Sequence, residues 1–190
     1  MATYLKKAAP SIEEKDINTR SIVKGILSDI RSRGESAVCE LAEKFDNWKR
    51  DFILGKEEID SLIATVPQTA KDDIRFAYDQ VYGFAVKQRE SMQEFETELS
   101  PGVTLGQRLI PCQCAGCYVP GGRFAHAASA VMSVATAKAA GVPFVVACTP
   151  PRGDSINPTV AYALSLSGAD VIMALGGVQA IGTMAFGLFT

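Results

Sequence analysis

Two glycine pairs bracket the stretch that most constrains this chain. Cys117-Tyr118-Val119-Pro120-Gly121-Gly122-Arg123 opens it, and Ala174-Leu175-Gly176-Gly177-Val178-Gln179 closes it. Between them, short apolar runs alternate with helical segments, the alternation of a parallel sheet with crossover helices. Residues 142–148 are a continuous apolar run, as in a strand buried on both faces, and residues 171–175 are a second. An alanine-rich helix is expected over 127–140, stopped by Gly141. Asn157 and Pro158 supply the cap and first turn of the next, which Gly168 ends, and residues 178–187 open a third. The spacing therefore predicts β-α-β-α-β-α, an incomplete Rossmann-like parallel sheet over 111–190, with right-handed crossovers. Each glycine pair then falls where a strand hands over to a helix, at the carboxyl edge where ligands bind in open α/β folds. The two bends are expected side by side on one rim. Opposite rims, or bends plugged by neighbouring side chains, would leave a ligand no place.

Residues 1–110 predict a mainly helical first part. Ile22, Val23, Ile26, Leu27 and Ile30 repeat at helical spacing before Gly34, and Val38, Leu41, Ala42 and Phe45 give a second stripe. Phe52-Ile53-Leu54 leaves room for a short strand, residues 57–64 for a brief helix, and Pro67 for the start of a long helix toward Gln93. Residues 95–99 and 103–110 predict a hairpin around Ser100-Pro101-Gly102, where proline then glycine suits a type II turn. Taken together, the fold class is α/β, with a helical N-terminal region followed by the sheet.

Bulk properties narrow the function classes. A net charge of −2 gives no reason to expect nucleic acid or an anionic membrane as partner. No apolar run reaches the roughly 18 residues of a membrane span, and the N-terminus lacks a signal-peptide core. The expectation is a cytoplasmic chain without nucleic-acid or membrane partners. A three-stranded α/β unit is small, and its last helix has no following strand to cover. The chain therefore reads as the front of a longer protein.

Candidate ligand residues cluster at the two bends. Gly121, Gly122, Gly176 and Gly177 let backbone approach a ligand and aim N–H groups at it, beside helix N-termini that favour anions. Neither pair completes the G-x-G-x-x-G fingerprint, so simple chain turning stays open as a reading. Tyr118 suits a ligand contact or the core; Gln179 suits a ligand contact or a cap. Arg123 and His126 could donate to an anionic substrate, and Ser129 could join them or cap the helix. Cys112, Cys114 and Cys117 lack a second cysteine or histidine pair to complete a metal site, His126 being the single histidine. They read as ordinary buried strand residues. No nucleophile–base pair and no metal set can be assembled, so no catalytic or metal residue is expected within the chain.

Four blocks carry a resemblance. Residues 118–122, 137–142, 149–151 and 176–181 resemble the histidinol dehydrogenase family in order and spacing. The resemblance implies a zinc-containing, NAD-dependent homodimer that oxidises a primary alcohol to a carboxylate in two hydride transfers. It implies Tyr118 and Gln179 as dinucleotide contacts, with Gly121 and Gly122 in the same loop. It places the zinc ligands and the acid/base pair beyond residue 190, so this chain alone is expected to be inactive. Residues 115–123, His126, Ser129 and the 184–189 segment are more similar to the sulfopropanediol dehydrogenase branch. Those relatives oxidise 2,3-dihydroxypropane-1-sulfonate to sulfolactate, an anion suited to Arg123, His126 and Ser129 as substrate contacts. Cationic histidinol would meet repulsion from Arg123. Histidinol oxidation remains the alternative within the family, and a non-catalytic nucleotide- or anion-binding module the alternative outside it.

Overall fold

The structure is a computed structural model that describes residues 13–121 and 124–189. Helices α1 (Glu13–Arg33) and α2 (Glu35–Asp46) open the chain and turn at Gly34. Helices α3 (Lys56–Ala64) and α4 (Gln68–Glu90) follow, with Pro67 at the N-cap of α4 rather than inside its first turn. Next come β1 (Phe95–Ser100) and β2 (Val103–Gln107), an antiparallel hairpin whose Gly102 has φ +81°, as its turn requires. The second strand stops short of the expected Ile110. Leu109 N–H donates to the Glu94 carboxylate at 2.8 Å instead of extending the ladder.

The sheet comprises β3 (Cys114–Tyr118), β4 (Phe144–Thr149) and β5 (Val171–Ala174), parallel and in the order β3-β4-β5. Helices α5 (Ala127–Ala139), α6 (Pro158–Ser167) and α7 (Gly177–Phe186) alternate with them, giving the expected β-α-β-α-β-α. Strand β4 starts after Pro143, whose ring removes the N–H a ladder needs. As the central strand it is the most deeply buried, with Val145, Ala147 and Cys148 at 0% exposure. Such a site has helices on both sides. Helices α5 and α6 pack on one another, backed by α4 and α3, while α7 packs on β3 and β4 and is held by α1 and α2. Leu164, Met173 and Leu175 are fully buried in this core, each contributing about 1.5–3 kcal/mol of transfer free energy.

The helical part and the sheet share one seam. Leu54 N–H donates to Ile172 O at 2.9 Å and Ala174 N–H to Phe52 O at 2.8 Å, so the short extended segment at Ile53 pairs antiparallel with the free edge of β5. Among the described residues, no helix is long and apolar enough to cross a membrane.

Of the three clustered cysteines, only Cys117 is buried; Cys112 and Cys114 are exposed. This departs from the expectation of buried strand residues, because β3 is an edge strand and Cys114 is its first residue. Among the described residues no group of three His, Cys, Asp or Glu side chains could hold a metal ion.

Candidate functional site

Because the three strands are parallel, the segments after β3, β4 and β5 all emerge at one edge of the sheet. The ladder continues past the strand ends: Val119 N–H donates to Cys148 O at 2.8 Å and Leu175 N–H to Thr149 O at 2.9 Å. The bends at Gly121 and Gly176-Gly177 are therefore on the same rim, as the sequence predicts. They are not adjacent. Strand β4 runs between them, and its loop begins with Pro150.

That proline explains two of the glycines. A Cβ built on Gly121 would stand 2.9 Å from Pro150 Cγ, and one on Gly176 would stand 2.8 Å from the same atom. The ring is wedged between the two bends, so these glycines give close packing and not an open face. Sequence spacing offers no sign of this, since the contact joins loops some 25 to 30 residues apart.

Gly177 has a different role. It is exposed, has φ +63°, and its N–H donates to the Tyr118 hydroxyl at 3.3 Å. Tyr118, half-buried at the end of β3, thus reaches across β4 to the first turn of α7 and ties the outer two loops together. A Cβ on Gly177 would also meet Gln179 Oε1 at 2.7 Å.

Gln179 is buried at 2% exposure. Its Nε2 donates to Asp46 Oδ2 at 3.4 Å, turning the amide toward the end of α2. Burial pushes the Asp46 carboxyl above its ordinary range, against the smaller pull of the Gln179 bond. A raised carboxyl contributes stability below its unfolded value of ~3.9 and loses it as pH rises through the folded one. Asp46→Asn should then melt at or above the wild-type temperature at pH 7, with the difference closing near pH 4. A clear loss at pH 7 would show that the Gln179 bond outweighs the desolvation.

The cleft at this rim has a volume of about 130 Å³, lined by Pro120, Gly121, Phe124, Pro150, Arg152 and Asn157 among others. Arg152 adds an exposed cation that the sequence analysis does not single out. The loop is anchored from the helical part: Ser155 Oγ donates to Glu58 Oε1 at 2.6 Å, Arg50 Nη2 donates to Glu58 Oε2 at 2.7 Å, and Arg50 also donates to Asp154 O. Asn157 Oδ1 accepts from Thr159 N–H at 2.9 Å, the capping role expected of it.

Of the remaining candidates, His126 occupies the N-cap position of α5, half-buried and without a side-chain cap bond. Ser129 is inside the first turn, so the capping position falls three residues earlier than Ser129. Gly122 and Arg123 lie outside the described residues. Cys117 and Cys148 lie near the rim, but burial raises both thiols, Cys148 to about 12, so neither is a thiolate at neutral pH. The rim can bind and orient; the described residues supply no nucleophile and no metal set.

A family model described as histidinol dehydrogenase matches residues 9–190. Sulfopropanediol 3-dehydrogenase of Ruegeria pomeroyi is 47% identical over 187 residues, covering 98% of this chain and 43% of that protein. A histidinol dehydrogenase homolog of Pelagibacter ubique is 49% identical over 189 residues, covering 98% and 44%. Histidinol dehydrogenase of Methanosarcina mazei is 38% identical over 170 residues, covering 88% and 39%. The crystal structure of histidinol dehydrogenase from Elizabethkingia anophelis superposes with a TM-score of 0.82 at 28% identity, covering 98% of this chain and 41% of that one. The chain spans less than half the length of these relatives.

Proposed function

Because this chain belongs to the histidinol dehydrogenase family, we propose that its sheet rim is the dinucleotide-binding part of an NAD-dependent alcohol dehydrogenase. The observation that carries the reading is the Tyr118 hydroxyl accepting from Gly177 N–H at 3.3 Å, which ties the end of β3 to the first turn of α7 at one rim of the sheet. NAD, when bound, supplies the hydride acceptor. Because Pro150 fills the notch between Gly121 and Gly176, the open approach is left to the exposed Gly177 and to the cleft beside Pro120, Phe124 and Arg152. Tyr118, Gly121, Gly122 and Gln179 are the proposed cofactor contacts on the strength of the family resemblance, although the Gln179 amide is buried and turned toward Asp46. A helix N-terminus beside Gly177 and the cation of Arg152 suit the pyrophosphate. The 130 Å³ cleft is well below the ~300–1,000 Å³ of a complete small-molecule pocket, so it fits a fragment of the dinucleotide and not the whole.

The family implies zinc as well, and the described residues do not fit it: they offer no cluster of three ligating side chains.

For the alcohol, we favour an anionic sulfonate, 2,3-dihydroxypropane-1-sulfonate, oxidised to the carboxylate. The relative named sulfopropanediol 3-dehydrogenase is 47% identical, against 38% for the histidinol dehydrogenase of M. mazei. Arg123, His126 and Ser129 are the proposed sulfonate contacts. Turnover of the sulfonate and of L-histidinol, measured side by side on the complete gene product, decides between the two; faster use of histidinol would reverse the assignment.

The cofactor reading is tested on this chain by calorimetric titration with NAD. Saturable binding is expected, weakened about tenfold, roughly 1.4 kcal/mol, by Tyr118→Ala. Absence of saturable binding, or binding indifferent to Tyr118, would overturn it.

A further inference from the structure

The loop after β4 brings Arg152 to the rim cleft, and among the described residues Arg152 is in no ion pair. Arg152, Gly153 and Asp154 are all exposed, so nothing in the apolar core fixes this turn. Polar ties fix it instead. Gly153 takes φ +66°, and Arg152 N–H donates to Ser155 O at 2.6 Å, closing residues 152–155 into a tight turn. The Ser155 hydroxyl donates to Glu58 Oε1 at 2.6 Å, so one residue holds the Arg152 backbone with its carbonyl and α3 with its side chain. The second Glu58 oxygen accepts from Arg50, which also donates to Asp154 O. Arg50 is braced in turn, its guanidinium carbon 5.2 Å from the centroid of the buried Trp48 ring. The Ser155 and Arg50 bonds hold the Glu58 carboxyl below its ordinary range despite partial burial. It is therefore ionised at neutral pH.

We propose that Glu58, acting through Ser155, is a positioning residue for Arg152 and sets that arginine against the phosphate oxygens of the ligand in the cleft. The assignment rests on the cofactor reading and narrows it to the pyrophosphate at this loop. Half-exposed ion pairs such as Arg50–Glu58 add little to stability; what these bonds determine is where the turn stands. Placement matters for a guanidinium, whose planar fork of N–H donors fits phosphate in few orientations. An arginine on an untied loop loses part of the same contact to ordering itself. Both Glu58 oxygens are already engaged, by Ser155 and Arg50, so the carboxylate leaves the Arg152 guanidinium to the ligand.

Calorimetric titration of this chain with inorganic pyrophosphate and, in parallel, with NAD tests the relay. Arg152→Ala is expected to weaken binding about tenfold, the loss of one charged hydrogen-bonding contact. Glu58→Ala should weaken it roughly fivefold through misplacement. Ser155→Ala removes one hydroxyl outside the apolar core and should match Glu58→Ala, so a folding defect in the latter does not decide the outcome. The decisive protein is the Glu58→Ala, Arg152→Ala double variant, which should bind no more weakly than Arg152→Ala alone, to within about twofold. A purely structural Glu58 would weaken binding by the same factor with or without Arg152. Coupling seen with either probe supports the proposal, and additive or absent effects with both overturn it. Coupled pyrophosphate binding without NAD binding would keep the Glu58 assignment and remove the cofactor reading. NAD binding indifferent to Arg152 and Glu58, with no coupling to pyrophosphate, would do the reverse.

Discussion

Alanine at Gly176 is expected to cost about 1–3 kcal/mol of stability and to weaken NAD binding with it. The added Cβ would stand 2.8 Å from Pro150 Cγ, 2.9 Å from its Cβ and 3.2 Å from its backbone Cα. Real Cβ atoms are not found so close, and the backbone atom cannot rotate away. The ring has little room to retreat, since Gly121 presses on the same atoms, its own built Cβ meeting Pro150 at 2.9 to 3.1 Å. Any accommodation therefore spreads to the loop after β3, which carries the proposed cofactor contacts. The wedge also predicts a coupling. Pro150→Ala deletes Cγ and Cδ, so the Gly176→Ala, Pro150→Ala double variant should be less destabilised than the sum of the singles. Denaturant unfolding of the four proteins measures this. Strictly additive costs would show that the ring is not what the glycines accommodate.

Asp170→Ala is expected to destabilise by about 1–3 kcal/mol at neutral pH, the cost of leaving a buried donor unpaired. Asp170 Oδ2 accepts from Val145 N–H at 2.6 Å and from Lys138 Nζ at 2.6 Å, tying the start of β4 to the end of α5. Val145 is completely buried with that carboxylate in place, while the Asp170 side chain itself is partly open to water, which puts the expected cost toward the lower end of that range. Burial pushes the Asp170 carboxyl up, but the Lys138 and Val145 bonds outweigh it and hold the group below its ordinary range. A lowered carboxyl contributes stability above its unfolded value of ~3.9, lost as pH falls through the folded one. The gap in melting temperature between wild type and Asp170→Ala should accordingly be widest near pH 7 and shrink below about pH 4. A gap unchanged in acid would exclude the ionised carboxylate as its source.

Much of the architecture was legible from local pattern. The apolar run around Val145 and Val146, the Asn157-Pro158 cap and the Pro101-Gly102 turn each carry their own signal within a few residues. The candidate site was legible only in part. Tyr118 and the glycine pairs mark the rim, because strand ends in a parallel sheet share an edge whatever their side chains are. The Pro150 wedge, the Arg50–Glu58–Ser155 anchor and the turning of Gln179 toward Asp46 were not. Each joins residues far apart in the chain, and neither period nor spacing encodes such a meeting. The exposed Cys114 failed for a related reason: whether a strand residue is covered depends on the strand's place in the sheet.

By itself, then, the sequence determined the order of strands and helices and the family, since periodicity, caps and motif blocks are properties of short segments. Only the tertiary structure decided which glycines stay open, which polar groups meet and which strand residues go uncovered. Those follow from the packing of segments distant along the chain, where a difference of one ångström separates an empty notch from a filled one.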